Sequence, residues 1–170
     1  TKLALFAAVE QCSGPVYLRF GRSAVPDFTS TDQDFEVGKG QIMSEGKDAC
    51  ILATGHLVWE ALQAAYALRS TGIECRVVNL HTVKPIDKEL IMECAANYPF
   101  LVTAEEHQIA GGLGSSVAEV VTEAKTPKKI IRVGINDRFG ESGQPEELML
   151  KYNLTASHLI NIVKGNLKNV

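Results

Sequence analysis

Hydrophobic and polar positions along the chain follow two periods in turn, and this alternation predicts strands followed by helices. The run ACILATG (49–55) is almost continuously apolar, which is typical of a strand buried on both faces of a sheet. From Val58 to Arg69 apolar residues recur at helical spacing, and Gly72 follows as a stop signal. We therefore expect a strand and the helix that follows it in this part of the chain.

The same strand–helix order continues towards the C-terminal end. Further strands are predicted at 75–80, 100–106 and 129–135, and helices at 85–98, from the glycines of 111–114 to 124, at 145–152 and at 155–164. Thr155 is the expected N-cap of the last helix. KGQIMSEG (39–46) predicts a short hairpin strand before the first unit. Repeated units of this kind predict an α/β fold, a three-layer α/β/α domain with a mostly parallel sheet.

The N-terminal part of the chain has a different pattern. A helix is predicted at 2–11 and an alternating strand at 16–20, followed by a polar, turn-rich stretch. Because no capping residue precedes the helix pattern, we expect the chain to begin inside a larger protein, with N-terminal processing as the competing explanation. The predicted organisation is a helix–strand remnant of an upstream domain at 1–25, a linker at 26–34 and the α/β domain at 35–170.

Composition narrows the function classes. The chain has 170 residues, 45% of them hydrophobic, and a net charge of -3 without basic runs, so nucleic acid is not an expected partner. No apolar run approaches the roughly 20 residues of a membrane span, and no membrane association is expected. The four cysteines are far apart and lack metal-ligand spacing, which predicts buried free thiols in a reducing cytoplasm. They are Cys12, Cys50, Cys75 and Cys94.

The glycine-rich stretch GGLGSS (111–116) lies between a predicted strand and a predicted helix. Glycines there can turn the backbone tightly and point its amides at an anion. The dinucleotide fingerprint GxGxxG directly after the first strand is absent. Two interpretations remain open, an anion site or close packing of backbones that only glycine permits.

Charged side chains lie at the carboxyl end of the same predicted strand. Glu105, Glu106 and His107 are expected at the carboxyl ends of the strands, where ligands bind in open α/β sheets. A Glu–His pair can perform acid–base chemistry, but no nucleophile motif accompanies it, and a hydrogen-bonded structural corner is the alternative. His56, His81 and His158 are isolated and are interpreted as ordinary polar residues. Asp137, Arg138 and Glu141 predict a charged loop with surface ion pairs.

Five segments together resemble one family. They are FEVGKG, ILATGHLVWEALQAA, RVVNLHTVKPID, VTAEEHQIAGGLGSSVAEVV and RVGINDRFGESGQPEELMLKYNLT. Their order and spacing resemble the C-terminal domain of transketolases, and most closely the separate C-terminal subunit of split transketolases. The resemblance covers essentially the whole chain, and its last segment discriminates best. Deoxyxylulose-phosphate synthases and the E1 beta subunits of 2-oxoacid dehydrogenases share the domain and remain as alternatives.

The resemblance implies a reaction that this chain cannot complete alone. Enzymes of this family transfer a two-carbon ketol unit between sugar phosphates with thiamine diphosphate and Mg²⁺, and the motifs that bind this cofactor are absent from the sequence. No cofactor, metal or catalytic residue is therefore expected in this chain. GPVYLRFGR resembles the last strand of the pyrimidine-binding domain, which implies substrate-phosphate binding for Arg22; Arg19 stays unassigned.

The implied role of the chain is a scaffold that forms a homodimer and contacts an upstream pyrimidine-binding domain and a diphosphate-binding domain or subunit. Glu105, His107, Gly111, Gly112 and Gly114 are the candidate interface or regulatory residues. A third hypothesis is a stand-alone α/β module that binds a nucleotide or a protein.

Overall fold

The structure, a computed structural model, describes residues 2–11, 13–18, 25–30, 35–125 and 127–168. Within these ranges the strands are β1 (Gln41–Ser44), β2 (Ala49–Ala53), β3 (Cys75–Asn79), β4 (Phe100–Gln108) and β5 (Lys129–Ile135). The helices are α1 (Lys2–Gln11), α2 (Leu57–Arg69), α3 (Lys88–Asn97), α4 (Leu113–Thr122), α5 (Pro145–Lys151) and α6 (Ala156–Leu167).

The five strands form one sheet in the order β1-β3-β2-β4-β5. The pairs β2–β3, β2–β4 and β4–β5 are parallel, and β1 pairs antiparallel with β3. The predicted strand at 39–46 is therefore present, but its partner is β3 and not the strand that follows it in sequence. After β2, the chain forms β3 on one side of that strand and then β4 on its other side.

Helices cover both faces of this sheet, which confirms the predicted three-layer α/β/α architecture. On one face, α2 and α6 bury side chains such as Leu68 and Val163 against β2 and β4. On the other face, α3 and α4 bury Ile91 and Val117. Every residue of β2 is fully buried, as its continuous apolar run predicts.

The N-terminal helix stands apart from this core. Helix α1 has no buried residue, and Phe6 is half exposed. The strand predicted at 16–20 is wrong for its described part, because residues 16–18 pair with no strand of the sheet, and extended backbone without a ladder partner does not form a strand. Phe28, by contrast, contacts the α/β domain: its ring stacks on that of Trp59 in α2, with ring centroids 6.1 Å apart.

Helix α3 begins later than its sequence pattern predicts. Asp87 is its N-cap and accepts a hydrogen bond from the Leu90 amide at 3.1 Å, while a second carboxylate oxygen accepts from the Gly40 amide at 2.9 Å. Pro85, preceded by a cis peptide bond, lies outside the helix. One aspartate thus fixes both the start of α3 and the approach to β1.

Three cysteines lie inside the domain as free thiols, as predicted: Cys50, Cys75 and Cys94. Burial raises the pKa of Cys75 to about 12, so this thiol stays protonated and unreactive. Cys12 lies outside the described residues.

Candidate functional site

The carboxyl ends of β2 and β4 lie side by side at the centre of the sheet. Because the helix after β2 packs on one face and the helix after β4 on the other, the chain diverges here. In open α/β sheets this divergence creates the crevice in which ligands bind. The predicted site residues of 105–114 lie at this point, in the last part of β4, the turn after it and the start of α4.

Glu105 occupies the position that an anionic ligand would take. Its side chain is 1% exposed, and its two carboxylate oxygens accept hydrogen bonds from the amides of Leu113 and Gly114, both at 2.8 Å. These amides belong to the first turn of α4, where the helix leaves its N–H groups without intrahelical partners. The anion at this helix start is therefore part of the chain itself.

The glycines predicted around this turn allow the carboxylate and the neighbouring side chains to pack closely. A Cβ on Gly112 would lie 2.0 Å from Oε2 of Glu105, and a Cβ on Gly114 would lie 2.8 Å from the side chains of Thr103 and Arg132. Gly111 has a φ of +78°, a left-handed conformation that favours glycine. Of the two interpretations left open by the sequence, close packing is the one that the structure supports.

Gly134 of β5, which the sequence gave no reason to select, is the fourth glycine of this corner. A Cβ there would lie 2.8 Å from the His107 carbonyl oxygen and 3.1 Å from Cγ of Glu105. Its role follows only from the pairing of β4 with β5, so no pattern of neighbouring residues in the sequence predicts it.

The turn between β4 and α4 is also closed by side chains that the sequence did not single out. Ser115 accepts from the Gly111 amide at 2.9 Å and donates to the Ile109 carbonyl at 3.0 Å. Arg132 of β5 donates to the same carbonyl at 3.0 Å. The turn is thus a hydrogen-bonded corner in which the amides of Gly111, Leu113 and Gly114 have partners within the chain.

Glu106 and His107, the next two residues of β4, are exposed, unlike Glu105. Glu106 pairs with His56, which precedes α2, with Nδ1 and Oε2 3.3 Å apart and both side chains about one-third exposed. His107 is exposed and is not brought together with the Glu105 carboxylate. The Glu–His pair at this edge therefore consists of Glu106 and His56, although His56 had been interpreted as isolated.

His81 lies at the end of β3 and is half buried. Its ring stacks on Phe35 with centroids 4.3 Å apart, and Nδ1 lies 2.9 Å from the Thr82 hydroxyl. Within the described residues Nε2 has no hydrogen-bond partner, and burial lowers the pKa of His81. The neutral imidazole packs here against Phe35, the first residue of the α/β domain.

The charged loop after β5 is held at both ends. Gln108 of β4 accepts from the Asp137 amide at 2.9 Å and donates to the Arg138 carbonyl at 3.2 Å. Further along, Glu141 and Lys151 form the predicted kind of surface ion pair, with atoms 2.5 Å apart. Arg22, the predicted phosphate-binding residue, and Arg19 lie outside the described residues.

The turn between β4 and α4 does not fit the diphosphate group of thiamine diphosphate. The amides of Leu113 and Gly114 already donate to Glu105, so they are not available to a diphosphate oxygen. Over the described ranges, no group of three or more His, Cys, Asp or Glu side chains is placed to hold a metal ion. Within the same ranges, none of the helices has the length and apolar character needed to cross a bilayer.

Comparison with known proteins agrees with this picture. The family described as "Transketolase, C-terminal domain" matches residues 38–159. The 6-deoxy-6-sulfo-D-fructose transketolase subunit SqwH of Clostridium sp. is 41% identical over 157 residues, which are 92% of this chain and 48% of that protein. The 1-deoxy-D-xylulose-5-phosphate synthase of Caldanaerobacter subterraneus subsp. tengcongensis is 34% identical over 157 residues, which are 92% of this chain and 25% of the synthase.

A solved structure described as "Split gene transketolase, inactive beta4 tetramer" is 47% identical, with a TM-score of 0.87. The match covers 95% of this chain and 54% of that one, so the chain spans about half the length of its split-transketolase relatives. The matched family, these relatives and the shared fold lead to one conclusion: the chain belongs to the transketolase C-terminal domain family.

Proposed function

We propose that this chain is the C-terminal part of an enzyme that transfers a two-carbon ketol unit from a ketose phosphate to an aldose phosphate. The observation that supports this most strongly is the structural match to a split-gene transketolase subunit over 95% of the chain. Thiamine diphosphate and Mg²⁺ then bind to other parts of the enzyme, which supply the reacting centre. A cytoplasmic location and a place in the pentose phosphate pathway follow from this proposal.

Within that enzyme the chain acts as a scaffold. Residues 1–25 are the end of a pyrimidine-binding domain that contributes Arg22 to the substrate phosphate, 26–34 are a linker, and 35–170 are the C-terminal domain. The absence of buried residues from α1 supports this division, since the helix needs an upstream domain to pack against. Of the candidate interface residues, Glu105, Gly112 and Gly114 shape the corner, while His107 and Gly111 are exposed on it.

The partners proposed are a second copy of the chain, the pyrimidine-binding domain and a diphosphate-binding domain or subunit. The related split-gene chain is described as a beta4 tetramer, which supports association between copies. The same description calls that assembly inactive, which supports the need for a further subunit.

A two-part assay tests the proposal. The purified chain, supplied with thiamine diphosphate and Mg²⁺, is expected to show no ketol transfer between sugar phosphates in a coupled spectrophotometric assay. The complete C-terminal subunit mixed with its diphosphate-binding subunit is expected to show ketol transfer in the same assay. Turnover by the 170-residue chain alone would contradict the scaffold role, and inactivity of the complete mixture on every ketose phosphate donor would contradict the reaction.

The synthase relative supports a second candidate, the C-terminal part of a deoxyxylulose-phosphate synthase. The lower identity of that relative, 34% against 41% for the transketolase subunit, favours ketol transfer. Pyruvate distinguishes the two reactions, because the synthase consumes pyruvate and releases CO₂ whereas ketol transfer does neither. CO₂ release from pyruvate by the complete enzyme would replace the first proposal with the second.

A further inference from the structure

Two aromatic contacts attach the segment that enters the α/β domain to the body of that domain. Phe28 packs against the core cluster beneath α2 and stacks on Trp59, with ring centroids 6.1 Å apart and an angle of 29° between the ring planes. Phe35 stacks on His81, with centroids 4.3 Å apart and an angle of 26°. All four side chains are partly buried. The polar composition between the two phenylalanines is typical of a free linker, but its flanking residues are attached.

Both attachment points lie at the same edge of the sheet. Trp59 is in the first turn of α2, the helix that follows β2 directly, and His81 comes shortly after the end of β3 at Asn79. Because β2 and β3 are neighbours and parallel, their carboxyl ends lie side by side. This is the edge at which open α/β sheets bind ligands, and on the side of β2 and β3 it contacts the entering segment of the same chain.

The chain stays attached to the domain after Phe35. Gly38 lies against Pro85, since a Cβ on Gly38 would be 3.2 Å from Cγ of Pro85. Two residues later the Gly40 amide donates to the Asp87 carboxylate at 2.9 Å. Together with the Phe35 stack, these contacts attach the start of the domain at three successive places. A backbone attached in this way has little freedom to pivot.

We propose that Trp59 and His81 dock the entering segment and thereby fix the orientation of the upstream domain on the α/β domain. This inference rests on the proposed division of the chain, in which the upstream domain ends at residue 25, shortly before Phe28. Domains joined by a free linker move relative to each other, whereas a linker attached near both ends transmits the orientation of one domain to the other. Trp59 and His81 are then positioning residues for ketol transfer, because small displacements of the groups around a reacting centre slow the reaction.

Distance measurements by pulsed electron paramagnetic resonance in the complete C-terminal subunit test the docking. Spin-labelled amino acids are placed at Glu10 on α1 and Asn161 on α6, both of which are exposed. We expect a narrow distance distribution in the unmodified subunit and a distribution roughly twofold broader in the double variant Phe28→Ser/Phe35→Ser. Phe28→Tyr/Phe35→Tyr keeps both rings and is expected to keep the narrow distribution. Each single serine variant is expected to broaden it less, and circular dichroism verifies that all variants remain folded.

Tyr66→Ser is the matched control, because Tyr66 is an aromatic residue on α2 that is 80% exposed. It is expected to leave the width of the distance distribution unchanged. A broad distribution in the unmodified subunit, or an equally narrow one in the double serine variant, would overturn the docking.

Kinetics of the same proteins with the diphosphate-binding subunit test the positioning role. The double serine variant is expected to lower kcat about tenfold at unchanged KM for the sugar phosphates, and the double tyrosine variant to restore it. An unchanged kcat in the double serine variant would overturn the positioning role. If the unmodified enzyme shows the narrow distribution but no ketol transfer, the proposed reaction is wrong while the docking stands.

Discussion

The buried side chain of Glu105 determines which amides of the turn between β4 and α4 remain available to a ligand. A buried carboxylate is costly unless hydrogen bonds replace its hydration, and here two helix amides and the helix dipole do so. The same bonds use the amide donors that an anionic ligand would need. The residue is therefore structural, and its neighbour Gly112 is required by its volume, whereas Gly114 is required by the side chains of Thr103 and Arg132.

Replacing Glu105 by alanine tests this role. Glu105→Ala leaves two buried amides without an acceptor, so we expect the free energy of unfolding to fall by about 3 kcal/mol in urea denaturation. Glu106→Ala is the matched control, since it removes the adjacent, partly exposed carboxylate and its pair with His56. A loss below about 1 kcal/mol is expected there. Equal losses for the two variants would contradict the assignment of Glu105 as the internal anion.

At the scale of elements, helix α6 is capped by another helix. Thr155 is its N-cap, as predicted from the sequence, but the Thr155 side chain makes no capping bond and lies 2.9 Å from the Ser157 hydroxyl. The carboxylate of Glu60 on α2 accepts instead from the Ala156 amide at 2.6 Å. The bond joins α2 and α6, the two helices that cover the same face of the sheet.

An N-cap side chain usually stabilises its helix, but here Glu60 of another helix accepts the bond and is expected to contribute more to stability than Thr155. Glu60→Ala is expected to lower the free energy of unfolding by about 1 kcal/mol, because the Ala156 amide loses its acceptor. Thr155→Ala is expected to change it by less than about 0.5 kcal/mol, as for a surface substitution. Thermal unfolding followed by circular dichroism measures the stability of both variants. A larger loss for Thr155→Ala than for Glu60→Ala would show that the Thr155 hydroxyl caps the helix.

At the scale of the whole molecule, the stability of the chain resides in the α/β domain. The buried residues form two clusters, one on each face of the sheet, and α1 contributes to neither. Among the described residues, apolar side chains of α1 such as Phe6 and Val9 remain exposed. A helix without a buried face gains little from tertiary packing.

Deleting residues 1–24 is therefore expected to leave the free energy of unfolding within about 0.5 kcal/mol and the urea m-value unchanged. The truncated chain keeps Phe28 and its stack on Trp59. Phe28→Ala in the full chain is the comparison, and it is expected to cost more than the whole deletion. A deletion that costs more than about 2 kcal/mol would show that the N-terminal part belongs to the core.

The fold was largely predictable because its signals are local. Continuous apolar strands such as β2 and amphipathic helices such as α2 follow from residue spacing alone. The strand at 16–20 was predicted wrongly in its described part, and the partner of β1 was missed, because pairing depends on neighbours distant in sequence. The five motifs between residues 35 and 155 carried the family resemblance, which the comparisons confirm.

The sequence by itself determined the succession of strands and helices, the burial of β2 and the family, since each depends on residue types at short spacing. Only the tertiary structure decided that the anion of the glycine turn is Glu105, that Glu106 pairs with His56, and that Glu60 caps α6. These contacts join groups on different elements. Their geometry depends on how the elements pack in three dimensions, which no local pattern encodes.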